Sequence, residues 1–171
     1  MWQLAWAIGE IALRRRGPEN LPDSTFLTGF LLTGYVFVAL IQLLVHGALS
    51  WLSLGNLAAQ IALIFAFVFA VLTFFKLERR FRQTMSAILG VNIVVVLVYL
   101  PLALGGRVLN LDLDGEPWFW VMLGFVLWSV LMEAHILARA VSQPLILGFM
   151  LEILYVLPSL SISEFFLAAT D

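Results

Sequence analysis

Two glutamates and a histidine interrupt the otherwise apolar stretch LMEAHILARAVSQPLILGFMLEILYVLP. Glu133, His135 and Glu152 can each bind or release a proton, and Arg139 lies close by in sequence. If the flanking runs cross a membrane, charge near their ends is cheap and charge within them needs a partner. The connection around ARAVSQP is short, so the two runs form an antiparallel hairpin. From a midpoint near Val141, Glu133 and Glu152 are eight and eleven residues away. At about 1.5 Å per residue these counts are roughly 12 and 16 Å, comparable depths inside the hydrocarbon or at its margin.

An ionised carboxylate at that depth costs at least about 2.5–3.5 kcal/mol. It must face the bundle interior, meet a partner or hold a proton. His135 and Arg139 share a helix face, whereas Glu133 projects about 160° from His135. Glu133, His135, Arg139 and Glu152 form the candidate embedded polar cluster. On one reading a glutamate pairs with Arg139, His135 or a backbone group and locks the hairpin. On the other, the acids form a proton or cation site.

Other chemistries find little support. Carboxylate-bridged metal sites in helical bundles use Glu-x-x-His spacings on two helices, and EAH does not have that spacing. The second histidine, His46, belongs to the opposite side, which also excludes a transmembrane bis-histidine haem. LDLDGE places alternate acids at Asp112, Asp114 and Glu116 but lacks the remaining spacing of a calcium loop. No nucleophile–base pair or phosphate-cradling glycine loop appears. The expectation is a non-enzyme without metal or cofactor.

The elements that must position these residues follow from composition. Of 171 residues 63% are hydrophobic and 12% charged, against about 45–50% and 25% in soluble domains. The absence of cysteine excludes disulfides and thiol chemistry. A hydrocarbon core takes about 20 residues to cross, and five runs qualify: Ser24–Val45, Leu57–Phe75, Met85–Leu104, Trp118–Leu137 and Pro144–Ser161. Such lengths exceed any strand, and backbone polar groups in lipid must be satisfied within the segment. The fold class is therefore all-α: a polytopic membrane helix bundle of five transmembrane helices, forming one domain over residues 17–171.

Residues 1–16 read as an amphipathic helix, with Trp2, Leu4, Trp6, Ile8, Ile11 and Leu13 at three- and four-residue spacing. It lies in the membrane interface or docks on its own bundle. Its arginines follow the apolar part, unlike a secretory signal, and no small-residue cleavage site supports a twin-arginine signal. GPENLPDS ends it, with Asp23 or Ser24 able to cap the next helix. Within the first span Thr28, Gly29, Thr33 and Gly34 supply small residues for close packing, and Gln42, Gln60 and Asn92 are candidates for hydrogen bonds between helices.

Basic residues set the orientation. Arg14, Arg15, Arg16, Lys76, Arg79, Arg80, Arg82 and Arg139 fall on one side of five crossings, and Arg107 alone on the other. The N-terminus is expected to be cytoplasmic and the C-terminus periplasmic. All of these except Arg107 and Arg139 are also candidate contacts for lipid headgroups, at about 1 kcal/mol each near an anionic surface, or for an acidic partner. Enforcing topology alone also explains them.

At LERRFRQTMSAILGVNIVVVLVYLPL the chain resembles bacterial members of the Yip1-like family of five-span membrane proteins. Arg80, Phe81, Arg82 and Gln83 form a basic-aromatic stretch leading into an Ala/Gly-containing span that ends at Pro101. The resemblance covers roughly 25 residues and the span count. It implies a non-enzymatic role in membrane organisation or trafficking. The chain lacks the long soluble N-terminal region of eukaryotic relatives, so their partner-binding assignments do not transfer. The expected function is a non-catalytic accessory or scaffold component of a bacterial inner membrane. Its expected partners are membrane lipids and another integral membrane protein or itself, and not nucleic acid. The alternative is a small proton- or ion-coupled transporter using Glu133 and Glu152.

Overall fold

The computed structural model describes residues 2–108 and 115–169, with side chains for 6–106 and 115–169. Six α-helices account for most of them, and no strand occurs among the described residues: α1 (Trp2–Ala12), α2 (Thr25–Val45), α3 (Trp51–Phe74), α4 (Phe81–Val108), α5 (Glu116–Ala140) and α6 (Leu145–Ala168). All but α1 are long and apolar enough to cross a membrane.

The helix ends show why the expected spans were too short. Ser24 caps α2 as expected, its side chain accepting from the Leu27 amide at 3.3 Å. Helix α3 starts six residues before the apolar run, where Ser50 accepts from the Ser53 amide at 3.1 Å and the Ser53 hydroxyl donates to the Ala48 carbonyl at 2.6 Å. Pro101 does not end its span: it lies inside α4. Helix α6 likewise runs through Pro158 and Ser161 to Ala168. Ser161 is satisfied by the Leu157 carbonyl at 3.2 Å, and Ser159 donates to Gln60 at 2.9 Å. A serine that bonds within the bundle does not break a helix, although it lowers the hydropathy of the run.

Helix α4 is the central element. It packs against α1, α2, α3 and α5, while α6 packs on α5 and α3. Thr28 bonds Ser86 at 2.9 Å across α2 and α4, and Gly34 lets α2 approach Ile93. Gly29 and Thr33, named with them from sequence, face outward. The closest approach is between α5 and α6, where a Cβ on Gly148 would collide with the Ala134 carbonyl oxygen.

Packing is unequal along the bundle axis. At the end carrying the basic residues, here the basic end, Leu72, Met85, Ile88, Leu89, Met132 and Ile136 are all at most 2% exposed. Helix α1 closes this end, burying Ile8, Ile11 and Ala12, with Ile8 seated on Gly90. It therefore docks on its own bundle, while Trp6 and Leu13 point outward. At the opposite end, the His46 end, α2 and α3 are joined by a short turn but barely touch each other.

Candidate functional site

The expected cluster of four separates into two pairs. Glu152 is 3% exposed, Glu133 is half-buried, and the two lie within electrostatic range of each other. His135 and Arg139 point to the basic end instead. His135 Nε2 meets the Arg16 carbonyl at 3.2 Å, and Arg139 pairs with Glu19, beside a surface hollow also lined by Arg80 and Gln143. Neither basic residue locks the hairpin through a glutamate. The roughly 160° between Glu133 and His135 forbids a shared target, and the segment after α1 offers the nearer partners.

The hairpin is held by other groups. Gly148 sits against Ala134 and Ala138, one helical turn from Glu152 on the same face of α6. At the turn, Arg80 from the preceding loop donates to the Ala140 carbonyl at 2.9 Å and to Ser142 Oγ at 2.7 Å. It satisfies carbonyls left open at the C-terminus of α5.

The acids have no such neighbour. The ion pairs among the described residues are Arg16–Glu10, Arg82–Asp23 and Arg139–Glu19. What surrounds the acid pair is neutral. The Asn92 side chain hydrogen-bonds Glu133 and also donates to the Ile88 carbonyl at 3.1 Å. Tyr35 and Tyr155 lie within electrostatic range of Glu133. Glu133, Asn92, Tyr35 and Tyr155, together with Gln60 and apolar side chains of α3 and α4, line a cavity of about 50 Å³. At about 30 Å³ per water in the liquid, that space holds about one or two waters.

A second, open cavity of about 330 Å³ lies between α2 and α3, floored by Tyr99 of α4. Tyr35 and Gln60 belong to the walls of both cavities. Its polar lining includes Gln42, His46, Ser53 and Asn56. His46 stacks on Tyr99 with centroids 5.7 Å apart and meets its hydroxyl at 3.3 Å. Asn56 Oδ1 is buried there without a hydrogen-bond partner.

Gln60 and Asn92 act between helices as the sequence suggested. Gln60 donates to the Ser159 carbonyl and Ser163 Oγ of α6 at 2.9 and 3.0 Å, and Asn92 bridges α4 to α5. Tyr35, Tyr155, Asn56 and Tyr99 were not anticipated. Two carried a usable signal: Tyr155 is three residues after Glu152, and Asn56 four before Gln60, so each shares a helix face with a polar residue already noticed.

The basic residues named as lipid or partner contacts also divide. Arg82 grips Asp23 through two bonds of 2.5 and 3.1 Å, Arg16 pairs with Glu10 at 2.7 Å, and Arg80 caps α5. Arg14, Arg15, Lys76 and Arg79 stay exposed. The acidic loop at Asp112 and Asp114 lies outside the described residues. No protein-family model, curated protein or solved structure matches the chain.

Proposed function

We propose that the chain is a small proton- or ion-coupled transporter whose binding site is the Glu133–Glu152 pair. One observation carries this reading: two acids lie close together inside the basic half of the bundle, Glu133 lining a cavity, and neither has a basic partner among the described residues. A buried charge without compensation costs several kcal/mol. The pair is stable when it holds protons or a small cation and unstable when empty, which is the property a coupled transporter exploits. The cavity holds waters or a bare monovalent ion and excludes anything larger. The chemistry is reversible binding, and we read the protein as non-catalytic.

We read the location as a bacterial inner membrane, and the asymmetry of basic residues supports a cytoplasmic N-terminus and a periplasmic C-terminus there. Trp6, exposed on α1, and Leu13, exposed just after it, suit the cytoplasmic interface.

The test is proton flux into vesicles containing the purified protein, driven by a pH gradient and read with an entrapped pH dye. Glu152→Gln and Glu133→Gln are expected to abolish the flux at unchanged protein recovery, while Glu164→Gln on the exposed surface leaves it intact. Flux that survives both buried substitutions, or absent flux in the unmodified protein, sinks the reading.

A second reading, the lateral accessory or scaffold component that the Yip1-like resemblance implies, is favoured by α6. Its apolar window is 11% buried, the lowest of the five spans, and Ile146, Met150, Leu157 and Phe165 all face outward. Recovery of a membrane protein at fixed stoichiometry in mild detergent, lost when Met150 and Leu157 are changed to tryptophan, is the expected result for that role.

A further inference from the structure

We propose that the acid pair is reached from one end of the bundle only, through a water-filled half-channel that opens between α2 and α3 at the His46 end. The inference deepens the reading of Glu133 and Glu152 as a binding site and rests on it. The open cavity begins at the turn that carries Ala48 and runs past Asn56 to Tyr35 and Gln60, which are also walls of the cavity beside Glu133. Those two side chains stand at the boundary of both spaces.

The lining carries polar groups that lipid cannot satisfy. Gln42, His46 and Asn56 stand among apolar side chains along a space of about 330 Å³, while Gln60 at its inner end is bonded to Ser159 and Ser163. Asn56 Oδ1 is a buried acceptor with no protein donor, and such atoms in native proteins are satisfied by ordered water. The weak contact between α2 and α3 keeps the space open.

The route is blocked in the other direction. Between the acids and the basic end lie Met85, Ile88 and Ile136, each at most 1% exposed. Beyond that plug, Gln83 bonds the Leu21 carbonyl at 2.8 Å, and Arg80 and Arg82 hold the loops over it. Buried layers of this kind leave few gaps large enough for water. A proton or small cation arriving at the pair therefore comes from, and returns to, the His46 side in this conformation, and release on the basic side requires the plug to open.

The chain has no cysteine, so single thiols can be placed without background. Ala39→Cys and Asn56→Cys lie on the cleft wall, and Ile136→Cys lies in the plug. Each variant, in sealed vesicles of known orientation, is exposed to a small membrane-impermeant sulfonate methanethiosulfonate from one side at a time. The expected result is modification of both cleft thiols at least tenfold faster from the His46 face, with Ile136→Cys unreactive from either face. Equal rates from the two faces, faster modification from the basic face, or cleft thiols that react only after denaturation overturn the proposal. Ala39→Cys is the conservative change, so a folding defect in Asn56→Cys leaves the test intact. The outcome is independent of the flux assay. Symmetric labelling with Glu152-dependent flux defeats the access route alone, whereas one-sided labelling with flux indifferent to Glu152 defeats the acid site and keeps the half-channel.

Discussion

At the scale of single residues, the contrast between Glu152 and Asp23 shows how environment decides what a carboxylate is for. Asp23 faces solvent and meets Arg82 through two hydrogen bonds, with both side chains about half exposed. Exposed pairs of this kind contribute little to stability. A double-mutant cycle of Asp23→Ala and Arg82→Ala is expected to give a weak coupling that fades in high salt. Glu152 is buried and meets no cation among the described residues. An apolar side chain of similar size there removes the cost of burying a polar group. Glu152→Met is therefore expected to unfold at the same or a higher temperature in detergent while losing flux. A clearly lowered midpoint would assign the residue to structure.

At the scale of elements, helix pairs are held by two devices that differ in tolerance. Close approach is the stricter one. The collision awaiting a Cβ at Gly148 is with backbone on α5, which cannot rotate away as a side chain can. Gly148→Ala is expected to push α6 off α5 and lower stability by at least about 1–3 kcal/mol, the usual cost of overpacking. Gly29→Ala, which meets open space, is the neutral control in the same thermal assay. Interhelical hydrogen bonding is the softer device. Gln60→Leu removes the bonds from α3 to Ser159 and Ser163 of α6, and such bonds in membranes average about 0.6 kcal/mol with a maximum near 1.7. A loss in that range is expected, with the fold retained.

At the scale of the whole molecule, the architecture was legible in the order of runs and breaks. Roughly 20 apolar residues per run leave lipid as the only solvent and a helix as the only backbone able to satisfy itself there. The five runs, the Ser24 cap and the short turn after Ala140 could be read without coordinates for that reason. Helix ends were misplaced where polar residues belong to spans: Asn56 and Ser53 in α3 and Ser161 and Ser163 in α6 read as boundaries, because hydropathy cannot tell a side chain bonded to its own backbone, as Ser161 is, or to another helix, as Ser163 is, from one in water. The grouping of Glu133 with His135 and Arg139 failed for a related reason. Proximity in sequence says nothing of which helix face meets which neighbour, and the two basic residues are claimed by Arg16 and Glu19, over a hundred residues earlier in the chain. Orientation remains a question of charge: reporter fusions at the two ends are expected to fall on opposite sides of the membrane, with the N-terminal one cytoplasmic. Sequence alone determined that this is a chain of membrane-length helices with two acids at comparable depths inside the hydrocarbon or at its margin, since those properties depend on local composition and a fixed rise per residue. Only the tertiary structure decided that the two acids meet without a cation, that a polar cleft approaches them from the His46 end and that a dense apolar layer closes the other. Each of these depends on how α2, α3 and α4 splay or pack, and side-chain volumes at distant positions set that geometry.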